Sequence, residues 1–269
     1  MIIQHNITSM NANRQLGIVT GNLAKATEKL SSGYRVNRAA DDAAGLAISE
    51  KMRSQVRGLQ RASDNAQDGI SLIQTAEGAL EQRHNILQRT RELVVQASNT
   101  AVLDSTSQDV QKIQDEINEL KAEYNRIGSQ TEFNKKNLLG GSYSGHLQVG
   151  ANAGQGYTLT IDATSWQAVS LDMAEGATNS GKLTTVDTMI SNVSTLRSKL
   201  GAIQNKLEYT VKVDDNSAEN LQSAESRIRD TDMADEMTRF SKESILQQAA
   251  TSMLAQANQA NQGVLSLLQ

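Results

Sequence analysis

Three histidines, two adjacent-acid pairs and a loose cluster of arginines are the side chains of this sequence that could do chemistry. His5, His84 and His146 could bind a metal or move protons, but none stands at i, i+3 or i+4 from another and no H-E-x-x-H run occurs. Asp41-Asp42 and Asp214-Asp215 could hold a cation or share a proton. The first pair, however, directly precedes Ala43-Ala44-Gly45-Leu46-Ala47-Ile48, where one carboxylate can cap a helix and a second can complement its dipole in the first turn. The second pair reads similarly, as a turn ahead of another helix. Arg35, Arg38, Arg53, Arg57 and Arg61 are interleaved with Asp41, Asp42, Glu50 and Asp64, which predicts ion pairing within or between subunits rather than a phosphate-binding stripe. No phosphate loop, nucleophile elbow or kinase signature occurs, and Gly140-Gly141 lacks a following Lys-Ser or Lys-Thr. Without cysteine there is no thiol nucleophile, disulfide or Cys-based metal site. The expectation is therefore no catalytic, cofactor-binding or metal site.

The elements that would have to position such groups are helical. The 269 residues contain no proline, against a usual share of about 5%. Since proline costs about 3 kcal/mol inside a helix, its absence suits long uninterrupted helices. Two Phe, five Tyr and one Trp are too few for a thick core. The 26 Lys and Arg against 30 Asp and Glu leave a net charge of −4, with signs mixed, which disfavours nucleic acid as a partner. No apolar run approaches the roughly 18 residues of a membrane span. The start, Met1-Ile2-Ile3-Gln4-His5-Asn6, has neither a basic nor an apolar signal region, so neither membrane insertion nor a cleavable signal peptide is expected.

Heptad spacing recurs in separate blocks. Leu16, Val19, Leu23, Ala26 and Leu30 advance by threes and fours. Ile73, Ala76, Leu80, Leu87 and Val94 keep one register, with Arg83 and Thr90 on stripe positions. Leu103, Val110, Ile113, Ile117, Leu120, Tyr124 and Ile127 follow, entered through a capping box of Ser105 and Gln108 and closed by Gly128 as a C′ residue. Val186, Met189, Val193, Leu196, Leu200, Ile203 and Leu207 form the next stripe; Leu246, Ala250, Met253, Ala257, Ala260, Val264 and Leu267 form the last. Residues 140–181 differ in kind. They hold eight of the 18 glycines and no Lys or Arg. Within them Tyr157, Leu159 and Ile161 alternate with polar residues after Leu147, Val149 and a Gly-Ala-Asn-Ala-Gly-Gln-Gly run, which predicts a β-hairpin.

The expected fold is mainly α: an elongated antiparallel helical rod or coiled coil built from N- and C-terminal arms, with a small central β-hairpin region and both termini at one end. A stripe of two residues in seven is not buried by its own helix. The terminal stripes have only each other, and further apolar surface there would meet a different patch on a neighbour. Such heterologous contacts build an open helical filament rather than a closed dimer.

Longer motifs sharpen this. Leu30-Ser31-Ser32-Gly33-Tyr34-Arg35-Val36-Asn37-Arg38-Ala39-Ala40-Asp41-Asp42-Ala43-Ala44-Gly45-Leu46-Ala47-Ile48 resembles the N-terminal signature of bacterial flagellins. Ser129-Gln130-Thr131-Glu132-Phe133-Asn134 is a second match. Ile228-Arg229-Asp230-Thr231-Asp232-Met233-Ala234-Asp235-Glu236 with Gln256-Ala257-Asn258-Gln259-Ala260-Asn261-Gln262 resembles the family's C-terminal block. Together these motifs cover roughly residues 1–140 and 183–269 in order.

The resemblance implies a filament subunit of the bacterial flagellum, located outside the cell and exported unfolded through the flagellar type III apparatus without a cleavable signal. It implies assembly with copies of itself beneath a cap, with hook-associated proteins and an export chaperone as further partners. Residues 1–40 and 230–269 would form the inner coiled-coil layer. Its core would include Leu16, Val19, Leu23, Leu30, Leu246, Ala250, Met253, Ala257, Val264 and Leu267. Residues 41–140 and 183–229 would form the surrounding helical layer, and 141–182 a short β insert with no large variable outer domain. Gln88, Arg89, Arg91, Glu92 and Leu93, with Glu116, match the patch by which several flagellins engage the vertebrate Toll-like receptor 5; the same face would pack between protofilaments. A hook-filament junction protein and an intracellular coiled-coil adaptor are the alternatives. A zinc peptidase variant would need the H-E-x-x-H that is missing here.

Overall fold

The absence of proline is matched by helices of unusual length. The computed structural model describes residues 6–99, 108–163 and 180–266. Its helices are α1 (Ile7–Ser32), α2 (Ala43–Ala97), α3 (Gln108–Gln130), α4 (Ser180–Arg229) and α5 (Met233–Ser266). Between α3 and α4 lie the strands β1 (Glu132–Phe133), β2 (Lys136–Asn137), β3 (Ser142–Gln148) and β4 (Gly156–Asp162). The fold is mainly helical, as the periodicity predicts, and among the described residues it carries two small antiparallel hairpins where the alternation predicts one. Two compact units divide within α2 after Ser54 and within α4 before Asn220.

In the first unit α1 packs against α5. Asn6 caps α1, its Oδ1 accepting from the Ser9 amide at 3.0 Å, while its Nδ2 donates to the Ala257 carbonyl at 2.9 Å, which sets the two helices antiparallel. The helix stops at Gly33, whose φ of 74° is the left-handed conformation that ends a helix at no steric cost in glycine. There the chain leaving α1 meets the chain between α4 and α5. The Thr231 amide donates to the Gly33 carbonyl (3.0 Å) and the Arg35 amide to the Arg229 carbonyl (2.7 Å). Arg35 also donates to the Ile228 carbonyl at 2.6 Å, satisfying an end of α4 that has no further turn to bond. Arg229 stacks 4.7 Å from the Tyr34 ring and pairs with Glu50 at 2.6 Å.

The acid pairs match expectation only in the cap at Asp42. Asp42 is the cap of α2, its Oδ1 accepting from the Gly45 amide at 2.8 Å. Asp41 is not a first-turn acid; its Oδ2 accepts from the amides of Arg38 (3.0 Å) and Asn37 (3.2 Å), and the Arg38 bond is the chief reason its carboxyl is held below its ordinary pKa. Asp214-Asp215 make no turn, since α4 runs unbroken from Ser180 to Arg229. The chain breaks instead at 230–232, where Asp232 caps α5 through the Ala234 amide (2.9 Å).

The second unit is built on α2. Ile73, Ala76, Leu80, Leu87 and Val94 are all buried, as the register predicts, and so are the two polar intruders Arg83 and Thr90. Thr90 satisfies its hydroxyl on the Ile86 carbonyl at 2.8 Å. Contacts such as Arg83 with Tyr124 and Arg89 with Glu116 run α3 antiparallel to α2. Glu77 with Arg197 and Ser63 with Asp215 do the same for α4. The expected stripes close this core: Ile113, Ile117 and Tyr124 from α3, and Val186, Met189, Val193, Leu200 and Leu207 from α4. Leu103 and Ser105 lie outside the described residues. The predicted hairpin is β3 with β4, pairing Ser142 with Asp162 through Gln148 with Gly156. Its inner residues Leu159 and Ile161 join the same core. The smaller β1–β2 hairpin turns through Asn134 and Lys135, both at positive φ.

Gly128 does not end α3, which continues to Gln130. The residue is glycine because the buried Arg83 guanidinium occupies the space a Cβ would need, with the Leu139 carbonyl 3.1 Å from that position. Burial lowers the Arg83 pKa, and the guanidinium compensates by stacking 4.3 Å from the Tyr124 ring while Nε donates to the Tyr124 carbonyl. Asp214 is the opposite case. Only 7% exposed, it leaves Oδ2 without a partner; burial first, then the Asp215 charge, pushes its carboxyl above the ordinary value.

Two expectations follow. Gly128→Ala should lower the urea-unfolding free energy by about 1–3 kcal/mol through collision with Arg83, whereas Gly78→Ala, whose new methyl meets nothing, should raise it by about 0.5–1 kcal/mol. Folded Asp214 binds its proton more tightly than the unfolded chain does. Its contribution is therefore full below the ordinary carboxylate pKa and lost as pH rises through the raised one. Asp214→Asn should add about 1 kcal/mol of stability at pH 7 and remove that part of the pH dependence. Urea unfolding of both chains at about pH 4 and about pH 7 measures it.

Candidate functional site

The residues that could do chemistry are not brought together. His84 lies half-buried on α2 with Nε2 2.9 Å from the Gln88 amide nitrogen, and His146 is exposed on β3. His5 lies outside the described residues. Among the described residues no group of three His, Asp or Glu side chains could hold a metal, and no helix is long and apolar enough to cross a membrane. In the arginine cluster, Arg38 makes two bonds to Glu28 (3.0 and 3.2 Å), Arg61 pairs with Asp64 at 3.3 Å, and Arg35 bonds backbone carbonyls. Among the described residues two surfaces have a specific build: a charged face on α2 and the outside of the α1–α5 pair.

On α2, Gln88, Arg89, Arg91 and Glu92 are exposed, as is Glu116 on α3. Arg89 joins the two helices: it reaches Glu116 at 2.9 Å and Glu92 at 3.2 Å, and these acids, Glu116 foremost, raise its pKa. Arg91 turns the other way and pairs with Asp187 on α4 at 2.7 Å, a partner the spacing alone does not reveal. Solvent screens exposed pairs of this kind, so the face owes little of its charge pattern to stability. Leu93 differs from its neighbours. It is 2% exposed and belongs to the core, beyond the reach of any partner.

On the terminal pair, Leu16, Val19, Leu23 and Leu30 are half-buried and Ala26 is buried, so the α1 stripe faces α5 as its spacing predicts. The α5 stripe is out of phase with expectation. Ala250 and Ala257 are half-buried, but they are joined by Phe240, Gln247 and Leu254, while Leu246 and Met253 are exposed. Both phases alternate threes and fours and share the two alanines; the structure selects the one that turns Leu254 inward. Val264 and Leu267 lie outside the residues whose side chains are described.

The consequence is apolar surface left in water. Ile7, Met10 and Ile18 on α1 are exposed, and so are Met233, Met237, Ile245, Leu246 and Met253 on α5, with Met10 at 69% and Met253 at 63%. On α5 these residues do not share one stripe. Leu246 and Met253, seven apart, flank the seam, and Ile245 lies on the far side of the helix from it. Large apolar side chains on more than one side of an otherwise polar helix are surface that more than one neighbour can cover.

Comparison with known proteins agrees with this organisation. Residues 3–144 match the bacterial flagellin N-terminal helical region and residues 183–268 the bacterial flagellin C-terminal helical region. A flagellin of Halalkalibacterium halodurans is 52% identical over 274 residues, and one of Bacillus subtilis 49% identical over 304 residues, each alignment covering 100% of both chains. The flagellar filament 31.3 kDa core protein of Treponema maltophilum is 46% identical over 289 residues, again covering 100% of both. With both terminal regions matched and relatives aligned end to end, the chain belongs to the bacterial flagellin family, whose members are structural proteins and not enzymes.

Proposed function

We propose that this chain is the repeating subunit of a flagellar filament, working outside the cell after export in an unfolded state by the flagellar type III apparatus. The observation that carries the reading is the apolar surface spread around α5 and along α1, which one antiparallel partner helix leaves in water. Burying a large aliphatic side chain contributes about 1.5–3 kcal/mol, so eight exposed ones are a strong drive towards neighbouring copies. Residues 1–40 and 230–269 would make the inner layer, with Leu16, Val19, Leu23 and Leu30 holding the pair and Leu246 and Met253 meeting other subunits. Residues 41–140 and 183–229 would surround it. Contact between unlike patches extends without closing, which favours a filament over the small closed oligomer of an adaptor or the short run of a junction protein. Export favours this composition too, since a chain without Cys or Pro passes a narrow channel free of cross-links and slow isomers. A cap, hook-associated proteins and an export chaperone are the partners this role requires.

The charged α2 face supports a second reading for the free monomer, recognition by Toll-like receptor 5. Arg89, held extended between Glu92 and Glu116, presents a fixed pattern of charge beside Gln88 and Arg91. Thr90, between them in sequence, is buried and so is not part of that face.

Negative-stain electron microscopy of the purified chain, seeded with filament fragments, tests the first reading. The full chain should give long filaments and a chain lacking residues 231–269 none. Filaments from the truncated chain, or a discrete small oligomer from the full one, would overturn it. For the second reading, Arg89→Ala should weaken receptor signalling in a reporter cell by about tenfold or more and impair filament growth. Undiminished signalling would remove the face from recognition.

A further inference from the structure

With no cysteine in the chain, thioethers are its most readily oxidised side chains. The eight methionines are not equivalent. Met189 is buried in the core of the second unit, whereas Met10 on α1 and Met233, Met237 and Met253 on α5 are exposed. Among the described residues all four exposed thioethers stand on the pair of helices whose outer surface the filament reading buries. We propose that Met10, Met233, Met237 and Met253 are sulfoxidation sites through which peroxides reversibly block polymerisation; this rests on the assembly reading above.

The chemistry is a two-electron oxygen transfer. A sulfur lone pair attacks the terminal oxygen of a hydroperoxide, the O–O bond breaks as S=O forms, and the leaving oxygen takes up the proton and departs as an alcohol, or as water from hydrogen peroxide. Sulfur is oxidised and the peroxide reduced, with nothing else consumed. The product replaces a flexible apolar group by a polar, chiral one with a strong acceptor oxygen. In the monomer that oxygen stays in water, because the four side chains are outside the α1–α5 seam, which is held by Leu16, Val19, Leu23, Leu254 and the small Ala250 and Ala257. In a dry subunit contact the oxygen would be left without a donor. The lesion therefore separates folding from assembly: it spares the first and blocks the second.

The test treats the full-length chain with hydrogen peroxide, maps sulfoxides by peptide mass spectrometry, and then measures seeded filament growth and circular dichroism. Expected are sulfoxides at the four positions before any at Met189, unchanged helicity and unfolding midpoint, and a rise of about tenfold or more in the concentration needed for growth. The two epimer-specific sulfoxide reductases together should restore growth. A chain carrying Met10→Leu, Met233→Leu, Met237→Leu and Met253→Leu keeps apolar volume at these sites and should polymerise equally with and without peroxide. Normal growth of wild-type chain that carries the four sulfoxides overturns the proposal, as does equal loss of growth by the leucine chain on treatment. Failure of the untreated wild-type chain to extend seeds would instead sink the assembly reading, and this inference with it.

Discussion

The constraint on which this structure rests is the narrowness of its apolar stripes. Two buried positions in seven leave most of a helix surface polar, so no helix here can bury itself and each is stable only against a partner. The second unit meets the constraint fully. The stripe of α2 from Ile73 to Val94 receives α3, α4 and the inner residues of the β3–β4 hairpin, and its positions fall to complete burial. The terminal pair meets it only halfway. The α1 stripe is half-buried and α5 keeps large apolar residues in water, because each has one neighbour where the composition provides for several.

The same narrowness explains why a charge is tolerated in the core. Arg83 stands where the register calls for an apolar residue, and a thin helical core offers no room to lead a guanidinium back to water. It is accommodated by removing a side chain opposite, at Gly128, and by supplying the Tyr124 ring and carbonyl as partners. Three residues distant in sequence are thus one solution, and the glycine is intelligible only with the arginine in view. Asp214 shows what happens when such compensation is incomplete: its buried oxygen stays unpaired while Asp215 accepts from the Ser63 hydroxyl at 3.0 Å.

Much of this is legible in the sequence, and where the structure departs from it the causes are physical. Spacing alone phases the stripes of α1, α2, α3 and α4, because each has one apolar face and a polar remainder. It does not phase α5, because Leu246, Met253 and Leu254 allow two phases and only packing against α1 chooses between them. Gly128 reads as a terminator, since a glycine near the end of a periodic run usually is one; close approach of a buried side chain leaves no local signal. Asp214-Asp215 read as a turn, yet without proline or glycine beside them nothing forces the helix to stop. The two-residue strands of the β1–β2 hairpin are too short to show an alternation, and only Asn134 at the turn, a residue type that tolerates positive φ, marks it. On the charged face, exposure of Arg89 and Glu92 was readable, whereas burial of Leu93 follows from which side of α2 the other helices take.

The backbone junction of the first unit ties these points together. Helix α1 ends at Gly33 and α5 begins after the Asp232 cap, and the strand-like pairing of residues 33–35 with 229–231 puts both breaks at one level. Neither break is made by proline, so each depends on capping and on the partner strand. Arg229 locks the level from α4 by stacking on Tyr34 and pairing with Glu50 of α2, and Arg35 closes it by bonding the last carbonyls of α4. The two arms of the chain are therefore registered before their outer surfaces meet anything else. A pair of helices held in register at one end, with apolar side chains left over along its length, is already shaped to be extended by further copies; the ordering entropy that such contacts cost has been partly met within the monomer.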